Sequence, residues 1–351
     1  MPRRAFIIGG TGPIGRAVAA DLAAHGWRVT ASSRGLREGF VGPAADAVEA
    51  VRLDREEKGA LSKALAGGAD AVVDTIAYTS DHADQLLEIE GAVGAFVVIS
   101  SASVYRDTDG RTLDEAARHG FPVFPGPIAE TEPTVAPGPE TYSTRKVAME
   151  RRLNERAKRP VAILRPCAVH GPYSLHPREW RFVKRMLDQR PIIPLAYLGK
   201  SLFHTSATLN IAALTRAALD NPGTRILNAA DPHAPTVAEI GAAIGGHVGY
   251  SGKFCPIGGV ADDLPPRVGF TPWSTPLPFT LDLRAAAAFG YQAVASYAEA
   301  VGETCRWLVK QNPADWRERF PVLASYVHDQ FDYAAEDEFL SRCGQLAPRP
   351  S

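Results

Sequence analysis

The sequence carries almost no net charge: 38 Lys and Arg stand against 39 Asp and Glu, a formal −1 at pH 7. That balance removes the long-range attraction on which nucleic-acid and anionic-membrane binding rest, so neither partner is expected. Cysteine is scarce as well. Cys167, Cys255, Cys305 and Cys343 are scattered without a CxxC or a paired spacing, which argues against a disulfide framework and a zinc site. No stretch approaches the roughly 18 apolar residues that a membrane span needs. The apolar run after Arg3 and Arg4 stops at Gly9, too short for a signal peptide. Repeats and low-complexity segments are also missing. Reduced thiols in a cytoplasmic protein acting on a small molecule are the expectation that these absences leave.

What is present is ample core material, 45% hydrophobic residues, and a surplus of turn formers, 31 glycines and 28 prolines. The first hundred residues alternate strand and helix signals. Strands are expected at Ala5–Ile8, Arg28–Ala31, Val48–Leu53, Ala71–Ile76 and Phe96–Ser100, with helices at Ile14–His25, up to Leu65, and across Asp81–Glu90. A helix over Tyr142–Lys158 and a strand over Val161–Leu164 follow. This is the spacing of an α/β, doubly wound parallel sheet, whose ligand site lies at the carboxyl ends of its strands. Further on, helices are expected at Glu179–Gln189, Leu209–Leu219, Val237–Ile244, Leu281–Phe289 and Tyr297–Lys310, and a strand at Arg225–Asn228. Prolines concentrate in a long loop from Tyr105 to Tyr142 and in Gly252–Pro278, the latter read as an irregular cap. The last residues, 313–351, have helical spacing (Phe320, Leu323, Val327, Phe331) suited to packing or a dimer surface.

Gly9-Gly10-Thr11-Gly12-Pro13-Ile14-Gly15-Arg16 follows the first strand and opens the first helix. Glycines at 9, 12 and 15 let the backbone approach a pyrophosphate, and a helix N-terminus supplies amide donors with a favourable dipole. The alternative is a tight turn without a ligand. The choice of dinucleotide falls at the end of the second strand, where an NAD site would carry an acid. Thr30-Ala31-Ser32-Ser33-Arg34 has none. Ser33 can donate a hydrogen bond and Arg34 can grip a 2′-phosphate, with Arg16 as a second cation, so NADP is expected and NAD is the alternative.

Tyr142 and Lys146 form YxxxK, which puts both side chains on one helix face. A serine-rich strand end, Ile99-Ser100-Ser101-Ala102-Ser103-Val104-Tyr105, precedes them. A free phenol has a pKa of about 10, and a neighbouring ammonium, together with the positive nicotinamide of an oxidised cofactor, lowers it towards a general acid or base. Ser101 would stabilise charge on the substrate oxygen. The competing reading is a core tyrosine at a helix start beside a capped strand end.

These segments, with Leu164-Arg165-Pro166 and Gly171-Pro172 and the closing Leu281-Asp282 and Phe289-Gly290-Tyr291, resemble the extended short-chain dehydrogenase/reductase family of NAD-dependent epimerase/dehydratase type. The resemblance covers about residues 4–310. It implies a seven-stranded Rossmann domain at 1–166, rejoined by 202–232, then a smaller substrate part at 167–312 and a helical extension at 313–351. It further implies Ser101, Tyr142 and Lys146 as the catalytic set, with Lys146 also on the nicotinamide ribose. Asp54 would lie near the adenine, Ala77 beside a ribose and Pro166 near the nicotinamide. Family members often pair through a helix bundle, which here would include Tyr142–Lys158 and give a homodimer.

Departures from the family pattern narrow the chemistry. Its dehydratases carry an acidic pair after the catalytic hydroxyl, where this chain has Ala102 and Ser103. Its sugar-nucleotide enzymes carry an asparagine where this chain has Ala168, followed by Val169 and His170. Ser103, His170 and His204 are candidates for substrate contact, with structural hydrogen bonding the other use of the histidines; no metal is expected. Trp180 and Tyr173 could line a pocket, though core packing is the commoner use. The leading expectation is an NADP(H)-dependent reductase of a small ketone. A nucleotide-sugar epimerase with bound NAD stands second, and a non-catalytic cofactor-sensing or RNA-binding module third.

Overall fold

Strand and helix alternate along the chain of the computed structural model, which describes residues 1–35, 39–40, 46–258, 268–326 and 329–345. The strands are β1 (Arg4–Ile8), β2 (Arg28–Ser33), β3 (Val48–Arg52), β4 (Ala69–Asp74), β5 (Val93–Ile99), β6 (Val161–Pro166), β7 (Ala168–His170), β8 (Ile192–Leu195), β9 (Thr205–Ala207), β10 (Arg225–Ala229) and β11 (Lys253–Pro256). The longer helices are α1 (Pro13–Ala24), α2 (Ser80–Ile89), α3 (Tyr142–Arg156), α4 (Trp180–Leu187), α5 (Thr208–Asp220), α6 (Val237–Val248), α7 (Tyr297–Gln311) and α8 (Tyr333–Arg342). Among the described residues no helix is long and apolar enough to cross a membrane.

By internal contacts the chain divides into two units, Met1–Val169 with Ser206–Pro232 and Thr280–Ser296, and His170–Thr205 with His233–Phe279 and Tyr297–Ser351. The first holds a parallel sheet in the order β10-β6-β5-β4-β1-β2-β3. The chain winds outward from β1 in one direction and, after β4, in the other, which is the doubly wound Rossmann arrangement. Side-chain alternation builds two cores from one strand. Ala5 and Ile7 face the layer of α1 and α5 with Val18, Leu22 and Ile211. Phe6 and Ile8 face the opposite layer with Leu86, Met149 and Leu153. The order of the strands brings the carboxyl ends of β1, β4 and β5 side by side.

The boundaries differ from the sequence reading in two places. Thr280–Ser296 belongs to the first unit, not to the substrate part: Ile128 donates to the Thr280 carbonyl, Asn228 of β10 to that of Asp282, and Ala286 enters the core. The final segment is no separate extension either. In the second unit Glu336 of α8 is buried between Arg181 and Arg185 of α4, and Asp337 pairs with Arg190. Gly252–Pro278 is not wholly irregular, because β11 pairs in parallel with β8; its residues 259–267 lie outside the described residues, as does Val327. The helix expected over Leu281–Phe289 shortens to Arg284–Ala288.

The proline-rich Tyr105–Tyr142 loop is fastened from within. Asp107, enclosed, accepts the N–H groups of Asp109, Arg111 and Val123 at 3.0, 2.8 and 2.9 Å and the Arg111 guanidinium at 2.7 Å. Burial would raise this carboxyl, but those donors outweigh it and bring it down to about 2. At its start and in its interior the loop is also tied to β10, where Asn228 bonds the Tyr105 hydroxyl at 2.7 Å and the Ile128 carbonyl at 2.8 Å. A carboxyl held below its unfolded value stabilises the fold above about pH 4 and loses that contribution as pH falls towards 2. Asp107→Ala should therefore cost on the order of 2 kcal/mol at neutral pH in urea unfolding. The gap from wild type should close as the titration is repeated between pH 5 and 2.

Candidate active site

At the nucleotide end, β1 runs straight into Gly9, whose φ of +82° suits glycine. A Cβ there would meet the Thr75 hydroxyl at 2.5 Å, and one on Gly15 would meet the Gly9 carbonyl oxygen at 2.4 Å. The missing side chain of Gly15 is what lets α1 seat against the loop. Gly12 caps α1 and Pro13 opens it, with no acid in the first turn, so its free amides keep their attraction for an anion. Beside this loop lies a cavity of about 300 Å³ lined by Gly9, Thr11, Gly12, Ser33, Arg34 and Asp54, together with Arg55, Glu56, Ile76 and His82. A wider groove of about 930 Å³ runs along β1–β3 but shares only Leu53 and Asp54 with it and none of the glycines.

Six of the residues expected to hold the nucleotide, Gly9, Thr11, Gly12, Ser33, Arg34 and Asp54, thus face one space. Arg34 is exposed and has no partner among the described residues, and the Ser33 hydroxyl oxygen accepts only the Gly35 N–H, at 3.3 Å. Ile14 and Gly15 lie in the first turn of α1 behind the loop. Arg16 departs from its expected role. It is buried, donating to the carbonyls of Thr11 at 3.1 Å and Gly39 at 2.9 Å, so it braces the loop instead of facing outward. A cradle without side chains, an acid-free helix start and an unpaired cation fit a dinucleotide.

At the chemical end, Thr141 and Thr144 form a reciprocal capping box that starts α3 at Tyr142. Lys146, one turn on, is buried, and its ammonium donates to the carbonyls of Ala77 at 2.7 Å and Ile99 at 2.8 Å. Burial lowers it to about 8, against the pull of Asp74 and Glu150. Its nitrogen stands 5.7 Å from the centre of the Tyr142 ring. The Tyr142 side chain is 41% exposed, yet its hydroxyl is set deep enough for desolvation to push it up to about 12, opposed by a hydrogen bond with Ser101. The phenol therefore lies above its ordinary value, so Lys146 by itself does not supply the lowering expected from lysine and oxidised nicotinamide together. Pro166 closes β6, and the Ser100 N–H bonds the Leu164 carbonyl at 2.7 Å, which aligns the ends of β5 and β6.

Sequence reasoning missed a set of supports around these residues. Tyr78 packs on Tyr142 with ring centres 5.4 Å apart, and Arg145 donates to its hydroxyl at 3.3 Å. The Tyr78 N–H is accepted by His82 Nδ1 at 2.8 Å, while His82 Nε2 meets Glu56 at 2.9 Å. Arg55 pairs with Asp74 at 2.7 Å. Only the tyrosine beside Ile76 and Ala77, just after a strand end, offered a signal for any of these.

The two candidate histidines belong to the second unit. His170 is buried with its ring 4.7 Å from that of Tyr297, and His204 is buried with its N–H on the Phe279 carbonyl at 3.0 Å. Trp180 is fully buried against Phe320, which is core packing, and Tyr173 packs on Trp307. Of the glycine contacts, that of Gly15 is the most exacting, because it faces backbone. Gly15→Ala should abolish detectable nucleotide binding by isothermal calorimetry and lower the thermal midpoint, since α1 cannot approach the loop.

A model of the NAD dependent epimerase/dehydratase family matches residues 5–200. No curated protein matches the chain significantly. Among solved structures, the UDP-glucose 4-epimerase of Thermotoga maritima with UDP-glucose is 19% identical over 88% of this chain and 100% of its own, with a TM-score of 0.66. The UDP-glucose 4-epimerase of Thermus thermophilus with NAD is 19% identical over 87% and 99%, at 0.63. The UDP-N-acetylglucosamine 4-epimerase of Methanobrevibacter ruminantium, with UDP-N-acetylmuramic acid, is 15% identical over 88% and 99%, at 0.64. At these identities the likeness is one of fold; the family match, which spans more than half of the sequence and includes both ends of the site, places the chain in the NAD-dependent epimerase/dehydratase family of extended short-chain dehydrogenases/reductases.

Proposed function

We propose that this protein is an NADP(H)-dependent oxidoreductase that reduces a ketone, or oxidises the matching alcohol, of a small organic substrate. The observation that carries the reading is Tyr142 standing half-exposed on the same face of α3 as a buried Lys146, whose nitrogen lies 5.7 Å from the centre of its ring. Bound nicotinamide would exchange a hydride with the substrate carbon and, when oxidised, bring positive charge towards the phenol. Gly9, Thr11, Gly12, Pro13, Ile14 and Gly15 would hold the pyrophosphate, Asp54 the adenosine, Ala77 and Lys146 the ribose, and Pro166 the nicotinamide face. A phenol held near 12 is protonated at neutral pH, which suits Tyr142 to donate its proton to the substrate oxygen in the reducing direction. Ser101 would steady the charge that develops there. Lys146, at about 8, remains mostly cationic at neutral pH and can draw the phenolate back towards its resting state.

Arg34 supports NADP over NAD, because it is an exposed cation just after β2 on the wall of the nucleotide cavity, with no partner among the described residues. Epimerisation of a nucleotide sugar is the second reading, favoured by the ligands in the Thermotoga and Methanobrevibacter structures. Ala168 in place of the family's asparagine weighs against it. The test is NADPH oxidation with a panel of small ketones. Tyr142→Phe should lose about 10²- to 10⁴-fold in kcat. Arg34→Ala should raise the KM for NADPH about 10- to 100-fold while leaving that for NADH alone. Purified protein that carries NAD and converts a nucleotide sugar without net redox change would establish the second reading instead.

A further inference from the structure

Three serine hydroxyls meet behind the candidate acid. Ser101 Oγ donates to Ser103 Oγ at 3.0 Å, and Ser143 Oγ donates to that same oxygen at 2.9 Å. The Ser103 N–H donates back to Ser101 Oγ at 3.1 Å, and the Ser101 hydroxyl holds the Tyr142 phenol lower than burial alone would. Ser143, which follows Tyr142 in the chain, is fully buried, and its own N–H is fixed by the Asp114 carboxylate at 2.9 Å. We propose that Ser103 and Ser143 are positioning residues that act on the reaction through Ser101, as a reversible relay of three hydroxyls ending at the substrate oxygen.

A hydroxyl has one proton to give and two lone pairs to receive with. Ser103 Oγ already receives two protons, so it is full as an acceptor and its own proton is directed elsewhere. Ser101 has committed its single proton to Ser103, so it has none for a substrate carbonyl. It can serve that oxygen only if the Ser101–Ser103 bond reverses. Ser103 then turns its proton onto Ser101, and Ser101 turns its own onto the substrate. Two hydroxyl rotations accomplish this, and no covalent bond is made or broken.

Ser143 keeps donating to Ser103 throughout. After the reversal, all three protons point the same way, from Ser143 to Ser103 to Ser101 to the substrate. Hydrogen bonds aligned in this manner polarise one another, so the last donor is strengthened where negative charge develops. The relay contains no carboxylate and cannot strip a proton from carbon, so it serves hydrogen-bond donation to the charged oxygen and not elimination.

This inference rests on the oxidoreductase reading, and the experiment separates the two. NADPH oxidation is followed with whichever ketone of the panel wild type turns over fastest, for wild type, Tyr142→Phe, Ser103→Ala, Ser103→Thr and Ser143→Ala. Both alanine variants should lose about five- to tenfold in kcat with the KM for NADPH unchanged. Ser103→Thr, which keeps the hydroxyl, should regain most of the rate. In Ser103→Ala, the limb of the pH–rate profile that titrates Tyr142 should move to higher pH, because its oxyanion partner is weaker. Wild type that oxidises no NADPH removes both ideas. Wild type active and Tyr142→Phe inactive, with the alanine variants matching wild type in kcat and pH limb, removes the relay alone. So does a lower thermal midpoint in those variants with unaltered kcat in the folded protein.

Discussion

The arrangement at the head of α3 depends on one buried ammonium. Lys146 lies out of water, where a charge without partners is costly, and the carbonyl oxygens of Ala77 and Ile99 at the ends of two adjacent strands receive it. Its helix is pinned a turn later by Glu150, which pairs with Arg165 of β6 at 3.0 Å through Nε. On the far side Arg55 pairs with Asp74 of β4. Positive and negative groups therefore alternate in the dry layer between helix and sheet, and each leaves its neighbours unpaired if removed. Rotation of α3 about its axis would break the contacts of Lys146 and Glu150 together. The direction in which Tyr142 points is set by charges a full turn away from it.

Two tyrosines show how little a perturbed acidity says without geometry. Tyr105 and Tyr142 are both pushed up to about 12, chiefly by burial. Tyr105 is fully buried and donates to Asn228, which ties a loop to the sheet. Tyr142 keeps 41% of its surface and stands near Ser101, which has other hydroxyls behind it. Only the second can meet a substrate. The first does structural work, although it follows the serine segment in sequence and has the same chemistry.

The glycine loop, the first six strands and the YxxxK helix were legible because local rules govern them. Strand alternation, a proline at a helix start and threonines at 141 and 144 act within a few residues of where they stand. The short strands β7, β8, β9 and β11 were not legible, since three or four residues carry too little pattern to separate them from a loop. Arg16 illustrates a different limit. Its position beside the last glycine was plain, but its carbonyl partners at 11 and 39 depend on how the loop folds back. Lys146 by itself does not lower the Tyr142 phenol, for a related reason. Spacing put the two on one face, whereas the carbonyls that claim the ammonium come from strands far away in sequence.

The tightness around Gly15 bears on how such a site can change over generations. Where a missing Cβ is already within 2.4 Å of a carbonyl oxygen, no side chain can be added, so drift has nothing to work with there. Ser33 and Arg34 stand at the opposite extreme, half-buried and exposed on the same cavity wall. Replacing either disturbs no packing and breaks no buried pair. Preference between one dinucleotide and another is therefore free to wander at two adjacent positions while the cradle beneath stays frozen, and a lineage could exchange its reductant without rebuilding its fold.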